Sequence, residues 1–238
     1  MTTIEGNLQT VQERISHACR VAGRDVNEVT LLAVSKTFGP DAVRQAQAAG
    51  QRAFGENYVQ EGVEKILALR ESANAFPIEW HCIGPVQSNK TRLVACHFDW
   101  MQSVDRLKIA ERLNDQRPAE LEPLQVCIQV NVDGGATKSG VSPEELHVLA
   151  RAVSALPRLR LRGLMCIPEP TPDAEAQSVV FLRARALWDE LRSAGHELDT
   201  LSMGMSDDLE AAISAGSTMV RVGRSIFGSR TSALTSSA

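Results

Sequence analysis

The stretch Val29-Thr-Leu-Leu-Ala-Val-Ser-Lys36 reads as a buried strand with a lysine at its C-terminal tip. Alternation puts Leu32, Val34 and Lys36 on one face and Leu31, Ala33 and Ser35 on the other. Both faces are apolar, the pattern of a parallel strand covered on both sides. Phe38-Gly39-Pro40-Asp41 then ends the strand and opens a helix. An ammonium group at such a strand end is costly to bury unless something pairs with it or reacts with it. A desolvated lysine can lose its proton near neutral pH and attack an aldehyde. Taken alone, the stretch favours a lysine whose stem packs while its head reaches water. The rest of the chain shifts that balance.

Outward from this strand, β and α patterns alternate. Further strands are predicted at 52–56, 79–84, 100–104, 124–132 (the longest), 159–167, 198–204 and 218–223. Helices are predicted at 41–49, 58–71, 90–97, 105–116, from Ser142-Pro143-Glu144-Glu145 onward, and at 173–194 and 207–215. Ser142 as cap, Pro143 at the first helical position and acids in the first turn make the sixth helix start the clearest. Eight strand–loop–helix beats imply a parallel sheet closed into a barrel. The 238 residues fit that one domain, which typically takes about 250. A helix over 3–22, with Ile4, Leu8, Val11 and Ile15 at helical spacing and Gly23 as its stop, is left over. It is expected to pack outside the barrel or to cover its bottom. An open doubly wound sheet would carry a G-x-G-x-x-G turn after its first strand, and Lys36-Thr-Phe-Gly is not one.

A formal charge of −4 argues against a nucleic-acid surface. Cys19, Cys82, Cys96, Cys127 and Cys166 are scattered without a C-x-x-C pair, as expected of reduced thiols in a cytoplasmic protein. The start shows no basic and apolar export pattern, and no apolar run is long enough to span a bilayer. The histidines show no metal-ligand spacing, so no metal is expected.

In a barrel the C-terminal strand ends share one face. Lys36, Asn57, Tyr58, His81, Asn131, Ser202, Ser206, Arg221, Gly223 and Arg224 fall at or just past these ends. The loops after strands seven and eight are where barrels most often hold phosphate. Here they read Ser-Met-Gly-Met-Ser-Asp-Asp (202–208) and Val-Gly-Arg-Ser-Ile-Phe-Gly (222–228). The first offers hydroxyls and amides at a helix start, the second glycines that let backbone approach a ligand. Asp133-Gly-Gly-Ala-Thr-Lys-Ser-Gly140 lacks the spacing of a P-loop and reads as a surface loop. An amine-reactive lysine beside a phosphate cradle points to pyridoxal phosphate, or to a phosphosugar held as a Schiff base in an aldolase-type barrel.

At these residues the chain resembles a known family. Ala-Val-Ser-Lys36, Phe-Gly-Glu-Asn-Tyr58, Gln-Glu-Gly (60–62), Trp-His-x-Ile-Gly-Pro-x-Gln-Ser-Asn-Lys90, Arg-Gly-Leu-Met (162–165), Leu-Ser-Met-Gly-Met-Ser-Asp-Asp (201–208) and Val-Arg-Val-Gly (220–223) are similar to the motifs of the YggS/PROSC family of pyridoxal phosphate homeostasis proteins. The resemblance implies a single-domain (β/α)8 barrel of the alanine racemase N-terminal type over 1–230, with 231–238 a disordered tail. It implies that Lys36 carries pyridoxal 5'-phosphate as a Schiff base and that Asn57 lies near the ring. Ser202, Ser206 and the amides of Gly223 and Arg224 become the candidate phosphate contacts, and Arg221 faces the pyridine nitrogen. Family members often have Thr or Ser after that glycine. Arg224 stands there instead, so a charge-assisted or backbone contact is expected to replace the hydroxyl. A lysine in the 133–140 loop recurs in the family, which makes Lys138 a possible second amine for the coenzyme.

Arg221 bears on the chemistry. An arginine cannot accept a proton, so facing the ring nitrogen it disfavours the protonated ring and weakens carbanion stabilisation. The alternative is that Arg221 pairs with Asp207 or Asp208. Racemisation also needs a second acid–base group. In the racemase a separate C-terminal domain contributes to the active site, whereas here little follows the eighth strand and Tyr58 is the sole tyrosine. The expectation is therefore a monomeric carrier that regulates free coenzyme, passes it to apo pyridoxal-phosphate enzymes, and affects amino-acid and keto-acid pools. A weak amino-acid racemase is the alternative.

Overall fold

The computed structural model describes residues 3–70, 77–134, 139–171 and 173–228. Eight parallel strands close into a barrel in chain order. They are β1 (Thr30–Val34), β2 (Ala53–Glu56), β3 (Glu79–Cys82), β4 (Trp100–Val104), β5 (Leu124–Gln129), β6 (Leu159–Met165), β7 (Thr200–Ser202) and β8 (Met219–Val222). The helices are α1 (Ile4–Val21), α2 (Pro40–Ala48), α3 (Val59–Arg70), α4 (Thr91–His97), α5 (Leu107–Gln116), α6 (Pro143–Ser154), α7 (Ala174–Ser193), α8 (Leu209–Ser214) and α9 (Arg224–Phe227). Closure comes from pairing first strand with last, Leu31 opposite Val220 and Leu32 opposite Arg221. The predicted barrel and its beats are observed. Lys138 and the 231–238 tail lie outside the described residues.

The alternation read in the first strand separates two cores. Leu32 and Val34 enter the bore with Ala53, Ile83 and Met219. Ala33 points outward into the main apolar layer between strands and helices. Strands end earlier than the sequence pattern predicts. β1 stops at Val34, because the next residues form a turn in which Phe38 N–H donates to Ser35 O at 3.1 Å. β5 stops at Gln129, because Val130 bridges Val141 of its own returning loop. β6, with seven residues, is therefore longer than β5, with six. Val130 and Val132 mimic strand because they too are buried, only outside the sheet.

The leftover helix α1 packs outside, against α8, α9 and α2, across the seam where β8 meets β1. Leu8, Val11, Ile15, Ala18 and Cys19 form its buried stripe. Thr3 caps its start by accepting from Gly6 N–H, and Gly23, at φ +66°, turns the chain after its end. Three polar side chains fasten it. Asn7 Nδ2 donates to Ile226 O at 2.8 Å. Arg24, just past α1, donates from Nη1 to Ile213 O near the end of α8 and to Ser217 O before β8. Arg14 holds Glu210 in a two-pronged ion pair and donates to Ser206 O at 3.0 Å. No helix among the described residues is long and apolar enough to cross a membrane.

The Arg14–Glu210 pair makes a pH prediction. Burial pushes the Glu210 carboxyl up, but the Arg14 hydrogen bond and charge outweigh it and hold the group below its usual range. A carboxyl depressed in the folded state stabilises the fold above the unfolded carboxylate range and loses that contribution as pH falls through the folded value. Urea midpoints of the wild type and Glu210→Gln should therefore differ at neutral pH, wild type higher, and converge on acidification.

Candidate functional site

A cavity of about 710 Å³ opens at the C-terminal mouth of the barrel. Its wall is built from residues just past the strand ends: Lys36 after β1, Asn57 after β2, Ser206 after β7, and Gly223 and Arg224 after β8, with Arg221 rising from β8 itself. Val34, Ile83, Ile167 and Met205 supply apolar wall. The volume and the mix of apolar wall with a few convergent polar groups suit a small-molecule ligand. The structure thus gathers six of the seven residues expected to hold the cofactor.

Ser202 is the exception. It is fully buried and does not line the cavity. Its hydroxyl donates to Gln102 Oε1 at 2.7 Å and accepts from Arg221 Nη1 at 2.7 Å. Ser202 is the last residue of β7 and points into the bore, while the loop from Met205 to Asp207 forms the wall. Of the two candidate serines Ser206 alone lines the cavity, so Ser202 stands apart from its wall. It serves Arg221 instead.

Lys36 sits at the corner of a tight turn. With Phe38 bonded back to Ser35 and Thr37 at φ +69°, the turn Ser35-Lys36-Thr37-Phe38 has the shape that usually places glycine at its third position. A β-branched residue there costs on the order of 1–3 kcal/mol. A buried charge network holds it. Thr37 N–H donates to Glu61 Oε1 at 2.5 Å, and the same oxygen accepts from Lys65 Nζ at 2.7 Å. Lys65 Nζ also donates to Ser35 O at 2.7 Å and to Glu56 Oε1 at 2.8 Å. Ser35 Oγ donates to that same Glu56 oxygen at 2.6 Å. All three ammonium protons of Lys65 are thereby used on three different segments. Burial pushes the Glu56 carboxyl up, against the pull of the Lys65 charge and hydrogen bond and the Ser35 hydroxyl.

The two lysines divide sharply. Lys65 is 4% exposed and bound up with carboxylates. The partly buried Lys36 side chain makes no ion pair or hydrogen bond among the described residues, and the residue lines the cavity. Asn57 adds a second unsatisfied group. Its Oδ1 is buried without a partner, a state that a bound ligand commonly relieves.

The part of the wall after β8 holds a helix start. Gly223 opens α9, a one-turn helix that the flanking glycines disguised as loop. A Cβ at Gly223 would sit 3.0 Å from Val34 O, so the backbone here runs close against β1. The first amides of a helix have no helical acceptors, and those of Arg224 and Ser225 begin α9 beside the cavity. The Arg224 side chain pairs with Asp207 across the rim at 2.5 Å, both exposed.

Arg221 is 3% exposed, and no carboxylate is paired with it among the described residues. Its Nη1 meets Ser202 Oγ, and its Nη2 donates to Cys166 O at 2.8 Å. Asp207 is taken by Arg224, and Asp208 Oδ1 accepts from Met205 N–H at 2.5 Å. The alternative pairing of Arg221 with an acid is therefore not observed. Sequence reasoning missed the Glu56–Glu61–Lys65 network. Its only local signal is the four-residue spacing of Glu61 and Lys65 on one helix face.

Residues 7–231 match the alanine racemase N-terminal domain family. A pyridoxal phosphate homeostasis protein of Pseudomonas aeruginosa is 58% identical over 230 residues, covering 97% of each chain. The crystallised PipY of Synechococcus elongatus, solved with pyridoxal phosphate bound, is 36% identical, with a TM-score of 0.78 over 90% of this chain and all of that one. An alanine racemase of Clostridium difficile shares the fold at 16% identity, TM-score 0.70, over 93% of this chain and 57% of that one.

Replacing Lys65 tests the network beneath Lys36. Lys65→Met strands Glu56 as a buried carboxylate without its cation, a change that costs about 3–5 kcal/mol. Denaturant unfolding should show this loss, and the double variant Lys65→Met/Glu56→Gln should recover part of it.

Proposed function

This chain belongs to the pyridoxal phosphate homeostasis proteins of the alanine racemase N-terminal-domain family, and from that premise we propose that it binds pyridoxal 5'-phosphate on Lys36 and regulates or delivers it without robust turnover. The observation that carries the proposal is the unpaired Lys36 amine in one cavity with a buried arginine and a helix-start anion cradle. Lys36 would hold the aldehyde carbon as a Schiff base, with loss of water. Ser206 and the amides of Gly223 and Arg224 would take the phosphate, and Asn57 would lie beside the ring. The fit rests on the orphaned Asn57 oxygen and on the close backbone at Gly223.

When bound, the coenzyme supplies an electrophilic carbon and an electron-withdrawing ring. The residues around it favour holding over chemistry. Arg221 can only donate, so a ring nitrogen facing it has no acid to share a proton with. Among the described lining residues no second unpaired acid–base group stands ready for proton transfer at Cα. Apart from Lys36 and the two arginines, the ionisable group in the described wall is Asp207, held by Arg224. The proposal extends to handover to apo-enzymes that use the coenzyme, by a monomer in the cytoplasm.

Loading the purified protein with pyridoxal phosphate should give a visible absorption band that borohydride fixes to the Lys36 peptide. Lys36→Ala should lose both. Amino acids in deuterated solvent should exchange their α-hydrogen slowly, and the loaded protein should activate an apo-enzyme. Attachment to a different lysine would remove Lys36 from its role. Fast α-hydrogen exchange would replace the carrier reading with a racemase.

A further inference from the structure

The bore of an eight-stranded barrel is ordinarily packed with branched apolar side chains. Here a polar column runs through it. Arg221, Ser202, Gln102 and His81 come from β8, β7, β4 and β3, and each is at most 3% exposed. They are joined end to end. Arg221 Nη1 meets Ser202 Oγ at 2.7 Å, and Ser202 Oγ meets Gln102 Oε1 at 2.7 Å. Gln102 Nε2 meets His81 Nδ1 at 2.8 Å, and His81 Nε2 meets Glu79 Oε1 at 2.8 Å. Glu79 opens β3, so it lies at the end of the barrel opposite the cavity, with its side chain 48% exposed.

Elementary hydrogen-bond chemistry fixes the direction of every link. A guanidinium only donates, so Ser202 accepts there and spends its one proton on Gln102 Oε1. The Gln102 amide nitrogen only donates, so His81 Nδ1 is the bare nitrogen and Nε2 carries the proton facing Glu79. The second amide proton of Gln102 meets Met219 Sδ at 3.1 Å. All four links point from a buried cation at the mouth to a carboxylate at the far end. Chains aligned in this way polarise one another. The imidazole is clamped as well. Trp100 stacks on His81 with centroids 5.0 Å apart, and Arg162 covers the Trp100 ring at 4.9 Å.

We infer that Glu79, His81, Gln102 and Ser202 are positioning residues of the cavity: a one-way relay of aligned hydrogen bonds through the bore, anchored on the Glu79 carboxylate, that fixes the plane of Arg221. With Nη1 committed to Ser202 and Nη2 to Cys166 O, the guanidinium cannot rotate, and that orientation sets what a ring nitrogen meets. The inference rests on the proposed binding of pyridoxal phosphate, and its test separates the two.

Protein loaded with pyridoxal phosphate labelled with nitrogen-15 in the ring is compared across wild type, Glu79→Gln, Gln102→Leu and Glu197→Gln. Glu79→Gln keeps an acceptor oxygen but removes the charge. Gln102→Leu cuts the relay in the middle. Glu197, an exposed carboxylate just before β7 at the same end of the barrel, lies outside it. Both relay variants should move the ring-nitrogen resonance in one direction and speed coenzyme release about tenfold, the loss of one charge-assisted hydrogen bond. Glu197→Gln should match wild type. Borohydride trapping on Lys36 is scored separately, so its failure in wild type counts against coenzyme binding itself. Wild-type resonance and release in Glu79→Gln, with trapping on Lys36 intact in a separate sample, overturns the relay. So does a change confined to unfolding stability. If Gln102→Leu does not fold, Glu79→Gln decides alone.

Discussion

A permanently charged guanidinium inside a barrel is the constraint around which this structure is arranged. Arginine cannot shed its proton to escape burial, and an unpaired interior charge is expensive. Arg221 is lodged at the base of the mouth cavity with a serine hydroxyl and a main-chain carbonyl as its fixed partners. Both partners are neutral oxygens, so the guanidinium keeps its charge while lining the cavity. They also explain why β7 ends in serine and why the bore carries an amide and an imidazole where branched aliphatics would pack better.

The mouth as a whole carries more positive than negative charge. Lys36, Arg221 and Arg224 line it, against one carboxylate, Asp207. A second lysine close by would be a liability, since it would compete for any aldehyde and add repulsion. Lys65 is that lysine, and Glu56 and Glu61 neutralise it within the wall. The same network pins the strained Thr37 backbone, so Lys36 leaves the chain from a fixed corner while Lys65 is held in ion pairs. Fixed charges of one sign in a cleft also draw an anion such as a phosphate ester inward.

The sequence made the barrel legible because strand-end periodicity and turn residues repeat eight times. Lys36, Arg221 and Gly223 could be placed because each adjoins a strand whose apolar run is clear. Ser202 falls at the end of its strand as read, but its hydroxyl faces the bore. Leu198 to Gly204 reads as one strand, yet only Thr200–Ser202 pairs, and that decides whether a hydroxyl faces the bore or the cavity. The short helix α9 was hidden by glycines at both its ends. The inner networks were not legible at all. Lys65 reaches Ser35 across 30 positions, and Ser202 reaches Gln102 across 100. No local pattern encodes contacts that barrel closure alone creates.

The outside helix α1 has a consequence for how the chain is made. Its apolar stripe, Leu8, Val11 and Ile15, is complete early, but the surfaces that cover it belong to α8 and α9 near the other end. At ribosomal speeds of about 5–20 residues per second, the gap between Val21 and Leu209 takes roughly 10–40 s to synthesise. During that interval the nascent segment is a sticky amphipathic handle awaiting its berth. Strand β1 waits likewise for its β8 neighbour, so folding of this chain is governed by its most distant contacts.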